Sequence, residues 1–258
     1  MTKPIHRATP LAGRKALVTG AGVRVGRAIA LACAAAGANV AVHYRSSKKD
    51  AEKTAAAIKA LGRKAPLVQG DQTEEGGPEK IVEDAAALLG GLDLLVLSAS
   101  EFEKVPAKDI DRARFEAMLA SNLIGPFLVA RAAHKHLVAS ERSRKGTAAI
   151  VTILDICGTS QVWPGYGHYT AAKAGLAALT KLLAVEWAPE IRVNGVAPGY
   201  VMHPNDTPPG ENARLIKRIP LAREGTADDV AQATVYLASA PFVSGQILAV
   251  DGGRSVSP

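Results

Sequence analysis

The chain has 258 residues, 48% of them apolar, enough for one sizeable domain core. Lys and Arg number 31 against 24 Asp and Glu, a formal +7, yet basic residues cluster only in short stretches such as ERSRKG (141–146), so nucleic acid is not the expected partner. Two cysteines, Cys33 and Cys157, exclude a disulfide framework, and with no bilayer-length apolar run and no signal-like N-terminus a cytoplasmic protein off the membrane is expected.

Past an N-terminal tail (1–13), the run KALVT (15–19) predicts a first strand leading into a helix over 26–36. In the turn between them, Gly20, Gly22 and Gly26 let the backbone bend sharply and approach a pyrophosphate at the helix N-terminus. Cys33 falls on that helix as a small packed residue. The second strand, NVAVHY (39–44), ends in HYRSSKK (43–49), ahead of a helix over 48–61. An NAD site places an acid here for the ribose hydroxyls; this chain has Arg45 with Ser46 and Ser47, which suit a 2′-phosphate and predict NADPH. The alternative is an ordinary solvated turn.

A third strand (65–69) precedes Asp71, which is either an acceptor for the adenine amino group or a cap or turn residue. A helix over 79–89, a strand over 92–98 and a long helix over 109–140 follow, with Asn122 expected to kink the last and hold a water linking Lys173 to bulk. A fifth strand (148–154) ends at Asp155, and a helix over 167–188 carries Tyr169 and Lys173 on one face. The ammonium is expected to lower the phenol from its ordinary value of about 10, so that it can donate a proton and regain it. His168 is expected at the surface; His134 and His136, two apart, share no helix face, and no metal site is predicted.

Trp163, Tyr166 and Tyr200 are expected as packing near the site mouth. A strand over 191–196 runs into a Pro/Gly-rich segment (198–210), read as part of a substrate loop near 198–219; a helix over 226–239 and a strand over 246–251 complete the chain. Asn205-Asp206-Thr207 fits a glycosylation sequon by chance. Alternation of continuous apolar strands with helices predicts a single α/β domain over 14–258, a doubly wound parallel sheet with helices on both faces.

The segments VTGAG, SNLIGPF, YTAAKAGLAALTK, IRVNGVAPGYV and GQILAVDGG, spread over nearly the whole chain, resemble the classical short-chain dehydrogenase/reductases. The resemblance implies a Rossmann fold, a nicotinamide cofactor, a homotetramer, and an Asn–Ser–Tyr–Lys arrangement carried here by Asn122, Asp155, Tyr169 and Lys173. It implies cofactor contacts from Gly20, Gly22, Arg24, Val25 and Gly26 in the first turn, and from His43, Tyr44, Arg45, Ser46 and Ser47 after the second strand. Asp71 and Gln72, Ser98 and Ala99, Tyr169 and Lys173, and Pro198, Gly199 and Val201 would complete that set. Three positions depart from the family: Arg24 where glycine is usual, LSAS (97–100) for its NNAG, and Asp155 for its serine. The arginine, the aspartate, the His43–Ser47 segment and Ser100-Glu101-Phe102 are similar to the pteridine reductases. That likeness implies that Phe102 stacks on a pterin against the nicotinamide, and that Ser100 and Arg24 contact the pterin or a cofactor phosphate.

A carboxyl group at 155 changes the chemistry. Reduction of a ketone builds negative charge on oxygen, which calls for hydrogen-bond donors. A carboxylate offers none, but it matches the ring N–H and amino donors of a pterin or folate head. Burial can also raise its pKa until it donates beside Tyr169. The expected function is NADPH-dependent reduction of a pterin- or dihydrofolate-type C=N bond, with Arg24, Ser100, Phe102, Asp155 and Tyr169 facing the substrate. Alternatives are a carbonyl or 3-oxoacyl reductase, a non-catalytic NADPH-binding sensor, and a purely structural capping role for Asp155.

Overall fold

The computed structural model describes residues 9–143, 146–202 and 210–257. The sequon, residues 1–8 of the tail and 203–209 of the expected substrate loop lie outside the described residues. Among the described residues, seven strands form one parallel sheet: β1 (Lys15–Val18), β2 (Asn39–Tyr44), β3 (Leu67–Gln69), β4 (Leu94–Leu97), β5 (Ala148–Ile153), β6 (Ile191–Pro198) and β7 (Ile247–Val250). Their spatial order is β3-β2-β1-β4-β5-β6-β7.

The helices are α1 (Arg24–Ala35), α2 (Lys48–Ala60), α3 (Gly77–Leu89), α4 (Arg112–Leu119), α5 (Gly125–Ala139), α6 (Gly167–Glu186), α7 (Glu211–Ile216) and α8 (Ala227–Ser239). They cover both faces of the sheet, which is why its strands read as continuous apolar runs. Ala16, Val18, Leu94, Val96, Ala149 and Val151 point into a core shared with α1, α2 and α8. The alternate residues Leu17, Leu95, Ile150 and Val193 point into a second core with α3, α5 and the C-terminal part of α6.

Two elements differ from expectation. The helix expected over 109–140 with a kink at Asn122 goes further and is divided there: a π-helical turn, Ala120–Ile124, separates α4 from α5. Pro126 has no N–H to return to the preceding turn, and Asn122 Nδ2 donates to the Met118 carbonyl at 3.3 Å, so the regular ladder yields there. The loop expected near 198–219 also contains α7. No described helix is long and apolar enough to cross a membrane.

At the β1/β4 neighbour pair the strand order reverses, which opens a crevice beyond the carboxyl ends of the strands. Most residues singled out in the sequence for cofactor or chemistry lie at or just beyond such an end or on α6, and Asn122 lies in the π turn.

Candidate active site

The turn after β1 is built for a ligand that approaches backbone. Gly20 has φ +65°, and a Cβ there would stand 2.9 Å from Ala99 Cα; a Cβ on Gly26 would stand 2.1 Å from the Gly20 carbonyl oxygen. The turn can therefore lie against the backbone of the segment after β4 only because position 20 has no side chain. Thr19 Oγ1 accepts the N–H groups of Ser98 and Ala99 at 2.9 and 3.0 Å, locking LSAS against the turn. No side chain caps the N-terminus of α1, so its first N–H groups, including that of Val25, remain open to an anion. These features fit the diphosphate of a dinucleotide.

Arg24 lies in the left-handed region at φ +50°, the conformation that glycine favours at this position. Its Nη2 donates across the crevice to the Met202 carbonyl, joining the turn to the segment after Pro198, Gly199 and Val201. Arg24 thus reaches the far wall in this structure.

His43 is buried, not exposed to a cofactor: its Nδ1 accepts from Gly20 N–H and its Nε2 donates to the Gly70 carbonyl, each at 3.1 Å. Burial brings it down from 6.5 to about 4, so it braces the glycine turn as neutral imidazole. Tyr44 is buried behind it, and Gln72 donates to the Ser121 carbonyl at 2.7 Å. Arg45 and Ser46 are exposed. Ser47 is the N-cap residue of α2 but makes no capping bond. Asp71 accepts from Thr73 N–H and Oγ1 at 2.8 and 2.7 Å, the turn role that was its alternative reading.

Asp155, Tyr169 and Lys173 converge where β5 ends against α6. The turn Ile156–Gly158 packs so closely on α6 that a Cβ at Gly158 would meet Lys173 Cβ at 2.7 Å. Asp155 Oδ1 caps this turn by accepting from Cys157 N–H at 2.8 Å, while Oδ2 accepts from Tyr169 Oη at 3.1 Å. The turn cap and the bond to Tyr169 therefore coexist in one side chain. Lys173 Nζ donates to the Ile153 carbonyl at 2.9 Å and lies 5.6 Å from the centre of the Tyr169 ring.

The electrostatics reverse the expected direction at Tyr169. Burial, and then the neighbouring Asp155 carboxylate, hold its phenol well above the ordinary value, so it stays protonated. Burial likewise raises Asp155, against the pull of the Cys157 N–H, Lys173 and Tyr169. Lys173 is brought down to about 8 by burial, with Asp155 and Cys157 opposing.

Asn122 is fully buried in the π turn; it donates to the Glu101 carbonyl at 3.1 Å, and its Oδ1 accepts from Ser100 Oγ. Asn122 with Ser100 on one side, and Asp155 with Tyr169 on the other, form two hydrogen-bonded polar pairs of the site. Phe102 stacks on Tyr166 with centroids 4.6 Å apart and meets Tyr169 edge-on at 4.9 Å. One of its faces is thus taken by Tyr166, yet it remains half-exposed beside a cleft lined by Glu101, Glu103, Arg114 and Met118. Trp163 and Tyr166 pack with Met118, Cys157 and Tyr169, as expected of packing residues.

His168, expected at the surface, is fully buried, with Nε2 3.5 Å from Glu103 Oε2. The wide face of α6 that also buries Tyr169, Ala172 and Leu176 reaches round to it, a breadth that Tyr–Lys spacing does not reveal. Glu101 also escaped the sequence reading as an Arg45 partner; a carboxylate two segments away carries no local signal. His134 lies against Trp187 and His136 against Glu83, outside the site, and no metal-holding cluster of three or more His, Cys, Asp or Glu occurs among the described residues.

A family model described as Enoyl-(Acyl carrier protein) reductase matches residues 20–255. The chain belongs to the short-chain dehydrogenase/reductase family, whose members are oxidoreductases that use a nicotinamide cofactor. It is 38% identical over 248 residues to cis-4-hydroxycyclohexanecarboxylate dehydrogenase of Sinomonas cyclohexanicum, covering 94% of this chain and 96% of that protein. It is 35% identical over 259 residues to 2-dehydro-3-deoxy-D-gluconate 5-dehydrogenase of Bacillus subtilis (strain 168), covering 96% and 97%. A crystal structure of a dehydrogenase/reductase from Sinorhizobium meliloti 1021 superposes with TM-score 0.88 at 34% identity, covering 96% of this chain and 98% of that one.

Proposed function

We propose that the chain reduces a C=N bond of a pterin- or dihydrofolate-type heterocycle with NADPH. The observation that carries this reading is the buried Asp155 carboxyl joined at 3.1 Å to the Tyr169 hydroxyl. Each Asp155 oxygen keeps a lone pair beyond its bonds to Cys157 and Tyr169, matching a heterocycle's N–H and amino groups. A bound nicotinamide supplies the hydride. Tyr169 Oη holds the proton for the substrate nitrogen, and its raised pKa keeps it there. Asp155, itself raised, is the acid nearest to Tyr169, while Lys173 supplies a positive charge under the pair. Asn122 and Ser100 fix the approach to Tyr169, and the open face of Phe102 offers a stacking platform. Arg45, with exposed Ser46 and a Ser47 whose hydroxyl is not spent on capping, supports the choice of NADPH.

A second reading, reversible reduction of a carbonyl to an alcohol, is favoured by the relatives named as a hydroxycyclohexanecarboxylate dehydrogenase and a 2-dehydro-3-deoxy-gluconate dehydrogenase. It requires Asp155 to be protonated and to donate, which its raised pKa permits. Consumption of NADPH by purified protein with dihydrobiopterin, dihydrofolate and a panel of ketones and keto acids separates the two. Turnover confined to the ketones replaces the first reading by the second; turnover of the heterocycles sustains the first.

A further inference from the structure

Arg45 does not stand free at the end of β2. Its Nη1 lies 2.8 Å from Glu101 Oε1 and 3.6 Å from Asp71 Oδ2, so two carboxylates converge on one guanidinium nitrogen. The two acids differ in freedom. Asp71 is anchored by both Thr73 bonds, whereas the Glu101 carboxylate bonds only to Arg45 among the described residues. The Glu101 side chain is 44% exposed and its backbone carbonyl is held by Asn122 Nδ2. Its backbone is thus fixed, while its carboxylate can move into water.

We propose that Glu101 is a specificity-determining residue for the cofactor: its carboxylate competes with the ribose 2′-phosphate for Arg45 and so sets how far the site favours NADPH over NADH. The proposal rests on the reading of Arg45 as the 2′-phosphate contact. A phosphate arriving at Arg45 meets a cluster that already carries one negative charge in excess, so Glu101 must swing away for Arg45 to form its paired contacts. NADH brings only a neutral 2′-hydroxyl to that point, so it does not contend for the guanidinium and is far less sensitive to the exchange. Glu101 acts here through Arg45, without touching the reacting atoms.

The test is the dissociation constant of NADPH and of NADH, read by fluorescence titration, for the parent, Glu101→Gln, Arg45→Ala and the double variant. Glu101→Gln keeps the shape and removes the charge. It should tighten NADPH about three- to ten-fold and leave NADH within about two-fold. In the Arg45→Ala background the same change should do less than about two-fold to either cofactor. If Arg45→Ala weakens NADPH but Glu101→Gln leaves the NADPH-to-NADH ratio unchanged, or tightens both cofactors equally, the competition is overturned and the reading of Arg45 stands. If Arg45→Ala leaves NADPH binding untouched, the phosphate reading itself fails and the competition with it.

Discussion

Asp155 holds two obligations at once, an N–H at the turn after β5 and the hydroxyl of Tyr169. Replacing it by serine keeps a polar group at the turn but removes the acceptor that suits a donor-rich ring. For the Asp155→Ser variant, kcat/KM on dihydropterin relative to simple ketones should fall about ten- to a hundred-fold, the cost of one charge-assisted hydrogen bond. An unmoved ratio means that Asp155 does not read the substrate. Lys173 gives a second expectation. Its folded value of about 8 means that its charge is lost as pH rises through that point, so the rate profile should have an alkaline limb there. Asp155 raises Lys173, so Asp155→Asn should move that limb to lower pH; a limb that stays put belongs to another group. His43 bears on stability instead. Its folded value, about 4, lies below the ordinary 6.5, so the unfolded chain takes up a proton that the folded one refuses. Stability is then full above about pH 6.5 and falls by up to about 3 kcal/mol as pH drops through 6.5 to 4. Thermal melts across that range should show a shallower slope for His43→Gln than for the parent. At this scale the sequence made the identities of Asp155, Tyr169 and Lys173 legible, because their types and spacing carry chemistry. It did not reveal the direction of the Tyr169 shift, which is set first by burial and then by the Asp155 carboxylate that accepts its hydroxyl, neither of which the Tyr–Lys spacing shows.

Among elements, the strands and most helices were legible because their apolar periodicity is set by which faces are covered. Within 109–140 the kink expected at Asn122 is present, but its extent as a full π turn was not legible, because helical patterning on both sides is intact while the ladder between them depends on a side chain competing for a carbonyl. α8 shows the opposite case, where local sequence is sufficient at one end only. Its start carries a capping box, Thr226 with Asp229, readable from spacing. Its end is satisfied from β6: Arg192 donates to the Leu237, Ala238 and Val243 carbonyls at 2.8–3.0 Å. Replacing Arg192 with methionine would strand the buried Leu237 and Ala238 carbonyls, while that of Val243 keeps Asn194 Nδ2 at 2.8 Å; the change should cost about 2–4 kcal/mol, measurable as a lower urea midpoint, with little change in cofactor affinity. A loss of less than about 0.5 kcal/mol would mean that water replaces the guanidinium.

For the whole molecule, a single doubly wound domain followed from the strand–helix alternation, but assembly leaves a fainter trace. The described surface of α6 exposes Leu182 and Val185, and the segments before and after β7, an edge strand, expose Phe242 and Val256. The homotetramer that the family resemblance implies needs two kinds of two-fold contact, and these exposed apolar groups are candidates for them. Light scattering after size exclusion should give about four chain masses, and Val185→Glu should reduce it to two; a monomeric parent would remove the expectation. The position of β1 has a different consequence, for the order in which the molecule can be made. Ala16 pairs with Val40 on one side and with Leu94 on the other, and Thr19 receives its N–H partners only from Ser98 and Ala99. A chain emerging from the ribosome therefore carries its complete glycine turn long before the segment that shapes it exists. Until residue 99 is synthesised, the β4 side of β1 remains an open edge, so the nucleotide-binding turn, although made first, takes its shape only after β2, β3 and β4 have followed it.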